Sequence, residues 1–290
     1  FKREFLSIFF GTPSKARSLI FCYKKNERTY YIKSKPERVD SVYSAKHEYD
    51  SIYFFGKVQS AFKVPQVKLF KSKLVAREVT RSKPFNKNII RDHLISLTMD
   101  QLVKSQSIRL EEFLDSLSVE YAKQNEQAYI LYRKLLDMMR RRFLNEEATI
   151  ITSWAHCDVT PWNIISTPQK LTLIDFEKFR YEGFPVGYDF VHYYFSVLVF
   201  SNTNNKKRLY KKTLATLARQ WKLLGILDRK LLYLNCCLVV IEYLAVAASS
   251  EKTLSQYNNL YTVANFVLND DYAVFFNAEN GVLIKDSLTK

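Results

Sequence analysis

Residues 154–190 read WAHCDVTPWNIISTPQKLTLIDFEKFRYEGFPVGYDF, and the reading of the whole chain turns on them. His156 and Asp158 are two positions apart, and Asn163 follows Asp158 by five. A short apolar run, Lys170 to Ile174, then ends in Asp175-Phe176-Glu177. Taken singly, each polar residue has an ordinary explanation: a satisfied core histidine, an Asp at a turn or cap, an Asn closing a turn. Together and in order, each beside an apolar strand, they form a chemical set. A carboxylate can orient a hydroxyl and accept its proton. A second carboxylate and a side-chain amide offer the hard oxygen ligands that Mg2+ prefers. Phosphoryl transfer needs both, because its chemistry is positioning plus neutralisation of phosphate charge. Asp158 fits the first role, and Asn163 with Asp175 fits the second. Pro161 and Trp162 stiffen the loop between them.

The Asp-to-Asn spacing and the later Asp are those of the protein-kinase template. More closely, His156-Cys157-Asp158-Val159-Thr160-Pro161-Trp162-Asn163 followed by Leu173-Ile174-Asp175-Phe176-Glu177 resembles the aminoglycoside phosphotransferase and choline kinase-like superfamily. The resemblance is sharp over these 37 residues and weaker over the rest. It implies an α+β, protein kinase-like bilobal fold, with a small mainly-β N-terminal lobe and a larger helical C-terminal lobe. It further implies ATP and Mg2+ as cofactors, Asp158 as catalytic base, and Asn163 and Asp175 as metal ligands. His156 would support the loop, and Asp189, in Gly187-Tyr188-Asp189-Phe190, would anchor it from the following helix. The family usually has Gly where this chain has Cys157, a difference that bears on the loop backbone.

The first eighty residues suit the smaller lobe. Arg17–Tyr23 and Arg28–Lys33, rich in aromatic and β-branched residues, predict a hairpin around Lys25-Asn26-Glu27. Residues 44–56 have helical spacing and stop at Gly56, which reads as a C-terminal cap. Residues 67–70 and 73–79 predict a second strand pair. A kinase-like fold requires a strand lysine on the nucleotide phosphates, paired with a helix glutamate. Lys33 and Glu48 stand at those places. The turn Phe10-Gly11-Thr12-Pro13-Ser14-Lys15 is the candidate phosphate cover, through Ser14 and backbone N–H groups. The hinge for the adenine falls near Glu78-Val79-Thr80.

Beyond residue 88 the pattern turns helical, over 89–104, 108–122, 125–144, 189–201, 205–223, 229–249 and 252–268, with a short strand at 148–154. Strands first and helices after predict a nucleotide-binding lobe over 1–80 and a helical catalytic and acceptor-binding lobe over 81–290. Leu231 to Ala248 is apolar enough to raise the question of a membrane span, but Asn235 and Glu242 within it favour a buried core helix. Four scattered cysteines make no disulfide framework or zinc site. Reduced core thiols indicate a reducing compartment, read as cytoplasmic.

Charge is lopsided: the whole chain is +15, while residues 1–91 carry 21 Lys/Arg against 7 Asp/Glu. Such a basic segment suits nucleoside triphosphate phosphates, a phosphorylated acceptor or peripheral contact with an anionic membrane surface. Nucleic acid is the rival ligand, disfavoured because no recognised nucleic-acid module is present. Only fourteen positions separate Asp175 from Asp189, too few for the activation segment of a protein kinase, so a small-molecule hydroxyl acceptor is favoured. The helical part offers Tyr188, Phe190, Tyr193, Tyr194 and Phe195 as an aromatic cluster, with acids at Glu111, Glu112 and Asp115. Aromatic residues at helical spacing are more often core, and the acids give weak support for a polycationic antibiotic. A sugar, amino sugar or amino alcohol is the expected acceptor class. The competing readings are a nucleotide-binding pseudokinase or scaffold, and a basic nucleic-acid-binding protein.

Overall fold

The computed structural model describes the backbone of residues 4–10 and all atoms of 18–25, 28–34, 44–78, 86–117, 125–143, 148–166, 171–225, 229–248 and 257–269. The first elements in chain order are β1 (Glu4–Phe10), β2 (Leu19–Lys25), β3 (Arg28–Ser34), α1 (Ala45–Val58), β4 (Val67–Phe70), β5 (Lys73–Arg77) and α2 (Lys87–Val103). There follow β6 (Gln106–Arg109), α3 (Leu110–Ser116), α4 (Glu126–Phe143), β7 (Thr149–Ala155), β8 (Ile164–Ser166), β9 (Leu171–Leu173) and β10 (Arg180–Pro185). The chain closes with α5 (Tyr188–Phe200), α6 (Lys206–Leu224), α7 (Arg229–Ala248) and α8 (Asn258–Asn269).

Compactness divides the chain into two units, Phe1–Ser105 with Ser153–Phe184, and Gln106–Thr152 with Pro185–Lys290. This is a different cut from the change of pattern near residue 80. Residues 154–184 of the motif segment belong with the N-terminal strands, and 185–190 with the second unit.

In the first unit, five antiparallel strands lie in the order β1-β2-β3-β5-β4. β3 is therefore the central strand. Side chains alternate along a strand, so Tyr31 and Lys33 share one face, and Lys33 is paired across the sheet with Ile20 on β2 and Leu74 on β5. Ser44 caps α1 by accepting from the His47 amide at 3.0 Å. The buried face of α1 carries Glu48, Ser51, Ile52 and Phe55, at the three- and four-residue spacing of a helix packed on a core.

Gly56 does not end this helix, as its sequence position suggested. The helix runs on to Val58, and Gly56 lies inside it, where an added Cβ would stand 3.2 Å from a Val64 methyl. The glycine serves the close approach of the returning chain. Beyond that return, the Lys63 amide donates to the Leu171 carbonyl at 2.9 Å and the Leu173 amide to the Lys63 carbonyl at 3.0 Å. The connection after α1 is thus stitched to β9, which pairs antiparallel with β8. Phe55, fully buried, meets Trp154, Phe176 and Phe179 edge-on with centroids 5.0–6.1 Å apart. This aromatic cluster bolts α1 to the motif segment.

In the second unit, β6 pairs antiparallel with the start of β7, Ile108 opposite Ile150. The helix expected over 108–122 is accordingly shorter: its first residues are spent on β6, and α3 starts at Leu110. α7 packs against α4, α5 and α8. It is the one helix among the described residues long and apolar enough to cross a membrane, and 83% of its apolar window is buried within the protein. Its buried Asn235 donates from the side-chain amide to the Val186 carbonyl at 2.9 Å.

Candidate active site

Everything in the site described below belongs to the first unit. Lys33, near the end of β3, reaches three carboxylates. Its Nζ lies 2.7 Å from Asp175 Oδ1, 3.1 Å from Glu48 Oε2 and 3.1 Å from Glu177 Oε2. Glu48 comes from the first turn of α1 and is buried. Asp175 and Glu177 follow β9 directly. Burial alone would lower the Lys33 ammonium, but the charges of Asp175, Glu48 and Glu177 outweigh it and hold the group well above the usual lysine range. The lysine is cationic throughout the physiological range.

The loop joining β7 to β8 carries Asp158 and Asn163. Both hydrogens of the Asn163 amide point at Asp158, one to its carbonyl at 3.0 Å and one to its carboxylate Oδ2 at 3.1 Å. A primary amide has two donors, so this arrangement fixes the side chain and leaves the amide oxygen as its acceptor. The loop is closed at its other end by the Ile174 amide, which donates to the Asn163 carbonyl at 2.9 Å. That bond places Asp175 beside Asn163. His156 is buried, stacks edge-on against Phe176 with centroids 4.5 Å apart, and its Nδ1 accepts from the Asp158 amide at 3.3 Å. Burial pushes the Asp158 carboxyl up from the usual range; Lys178 pulls it back, and the charges of Asp175 and Glu177 add to the rise.

Two residues of this loop system adopt left-handed backbone without being glycine: Cys157 at φ +62° and Asp175 at φ +67°. An L-residue held there costs about 1–2 kcal/mol, and such strain concentrates at functional sites. The backbone at Cys157 is one that glycine adopts without that cost.

Above these groups opens a cleft of about 360 Å³. Ile20, Val67, Leu74, Ala76 and Ile165 form apolar walls, and Lys33, Glu48, Asn163 and Asp175 form a polar end. An apolar slot with a charged end suits a flat base joined to an anionic tail. The donor set at that end also fits a hard divalent cation: the half-buried Asp175 carboxylate and the oriented Asn163 amide oxygen both line the cleft, and Glu48, Asp175 and Glu177 each have an oxygen within 4.8 Å of the others.

Not every expected residue falls here. Glu78 directly follows β5, and its amide donates to the Thr29 carbonyl at 3.0 Å, so that N–H is committed to the sheet. Ser14 and Val79 lie outside the described residues. Asp189 is buried in the first turn of α5, in the second unit. In the aromatic cluster of that helix, Tyr188, Phe190 and Phe195 are buried core. Glu112 is paired with Arg109 and Asp115 with Arg140. Two site residues went unassigned in the sequence. Glu177 could have been suspected from its place two after Asp175. Lys178, whose Nζ stands 3.3 Å from Asp158 Oδ1, had no signal among so many lysines.

No family model matches the chain, and no curated protein matches it in sequence. The backbone does match solved structures. The amicoumacin kinase hAmiN, in complex with AMP-PNP and Ca2+, is 12% identical; the match covers 90% of this chain and 87% of that one at a TM-score of 0.56. A thermostable mutant of the aminoglycoside phosphotransferase APH(4)-Ia, in ternary complex with AMP-PNP and hygromycin B, is 11% identical, with 91% and 94% covered and a TM-score of 0.56. A protein from Thermobifida fusca described as a fructosamine-3-kinase is 14% identical, with 92% and 95% covered and a TM-score of 0.51. The chain has the α+β, kinase-like fold that these small-molecule kinases share.

Proposed function

We propose that the chain is a phosphotransferase that moves the γ-phosphoryl group of Mg2+-bound ATP to a hydroxyl of a small molecule. One observation carries the reading: Lys33 is bonded at once to Glu48 and Asp175, at the polar end of a cleft that Asn163 also lines. Lys33 would bind nucleotide phosphates, kept in place by Glu48. Asn163 and Asp175 would hold Mg2+, which when bound neutralises phosphate charge. Asp158 would orient the acceptor hydroxyl and take its proton. The acceptor oxygen then forms a bond to the γ-phosphorus, the bond to the β–γ bridging oxygen breaks, and ADP leaves with that electron pair.

The fold neighbours, named as kinases of amicoumacin and fructosamine and as an aminoglycoside phosphotransferase, support a small-molecule acceptor. A sugar, amino sugar or amino alcohol remains the proposed class. The test is an acceptor screen for ADP release from Mg2+-ATP over sugars, amino alcohols and aminoglycosides, with Asp158→Asn as the blank. Acceptor-dependent ADP release is expected in the native protein alone. Failure to bind Mg2+-ATP, or tight salt-sensitive retention of DNA or RNA with no ADP release, would overturn the reading.

A further inference from the structure

Lys178 sits in a tight turn closed by the Phe179 amide on the Phe176 carbonyl at 3.2 Å. That turn begins one residue after Asp175 and presents the Lys178 ammonium to Asp158 Oδ1 at 3.3 Å. The side chain is 40% exposed, so the ammonium is open to a ligand. The two cations of the site are divided. Lys33 is engaged by Asp175, Glu48 and Glu177, whereas Lys178 stands at the proposed base.

Charge bookkeeping shows what such a cation does there. Among the described residues, four carboxylates (Glu48, Asp158, Asp175 and Glu177) face the ammonium groups of Lys33 and Lys178, so acids outnumber these two cations. A nucleoside triphosphate adds more negative charge. During transfer, the γ-phosphoryl group spreads its charge over three equatorial oxygens while it lies between the leaving and attacking oxygens. The attacking oxygen is the one that Asp158 holds, so the group in flight passes next to the negative charge of that carboxylate. A cation at that spot removes the repulsion and acts at the moment of transfer.

We propose that Lys178 is a second catalytic residue, which binds an equatorial oxygen of the γ-phosphoryl group as it passes from ATP to the hydroxyl held by Asp158. The proposal rests on the phosphotransferase reading above. It adds a residue to that reaction and no new co-reactant: Lys178 stays protonated, and the acceptor proton still goes to Asp158.

The experiment needs no acceptor. Binding of Mg2+-ADP to the full-length chain is measured with and without aluminium fluoride, which occupies the place of a phosphoryl group in flight. In the native protein aluminium fluoride tightens ADP binding. Lys178→Ala should bind Mg2+-ADP alone within about twofold of native yet lose about tenfold or more of the tightening, the scale of losing one charged contact. Lys178→Arg should retain most of it. A lysine that served only to hold Asp158 in place would leave the tightening intact, so full tightening in Lys178→Ala overturns the proposal. If instead the native protein does not bind Mg2+-ADP, the nucleotide reading itself fails, and Lys178 loses its role with it.

Discussion

Lys33 and Asp175, 142 positions apart in the chain, meet at 2.7 Å. The bond joins the central strand of the five-stranded sheet to the residue that follows β9, so strand and motif form one electrostatic unit. A part-buried cation shared by three carboxylates adds little net stability, because desolvation offsets attraction. Its value lies in presenting a fixed positive charge at the cleft.

The first consequence concerns salt. A charge inside a cleft is screened less than exposed charges farther than the Debye length, about 8 Å at physiological ionic strength. Lys33→Ala should weaken Mg2+-ATP binding about tenfold or more at both low and high salt. Neutralising Lys24, Lys25 and Lys71 together should slow association mainly at low salt. Titrations at two ionic strengths compare them. Equal salt responses in the two variants would remove Lys33 from the phosphate site.

Asp158→Asn keeps the size of the side chain and removes its basicity. Turnover should fall by at least ~10²-fold, the low end for loss of a general base, with nucleotide affinity retained. Native turnover in this variant would show that another group takes the proton.

Asp175→Ala removes a carboxylate from the proposed metal site and one partner from Lys33. ATP affinity should lose its dependence on Mg2+. Isothermal titration across a Mg2+ series reads this directly, and an unchanged dependence would assign the metal elsewhere.

Cys157 tests the loop backbone. Cys157→Gly gives up a small buried side chain but relieves a left-handed conformation costing about 1–2 kcal/mol, so stability should stay within about 1 kcal/mol of native. Cys157→Val puts a β-branched residue at positive φ and should be clearly less stable. Urea unfolding of both variants checks the order. A valine variant as stable as the glycine one would mean that the φ at 157 relaxes freely.

Much of this was legible in the sequence. The chemistry-bearing residues lie close together in the chain between apolar runs, so order and spacing alone marked Asp158, Asn163 and Asp175. Lys33 and Glu48 were singled out because the kinase-like resemblance calls for a strand lysine paired with a glutamate on the following helix. What escaped notice depended on distant partners. β6 is four residues whose strand character comes from pairing with β7, and β10 contains Gly183 and Pro185, residues that argue against a strand. Gly56 looked like a stop because its role, close contact with Val64, lies in the returning chain. Glu177 and Lys178 acquire meaning only once Lys33 and Asp158 are beside them in space.

The first unit is assembled from two stretches of chain separated by 47 residues of the second, Gln106–Thr152. A growing chain that has reached Ser105 holds Lys33 and Glu48 but not Asp158, Asn163, Asp175 or the aromatic partners of Phe55. Lys33 on β3 then has Glu48 of α1 but lacks Asp175 and Glu177, and Phe55 lacks rings still to be synthesised. Long-range pairings of this kind are slow to form and leave apolar surface open meanwhile. The cleft therefore comes into being late, once Asp175 has emerged. Until then Phe55 and the buried face of α1 lack the full set of rings, Trp154, Phe176 and Phe179, that covers them.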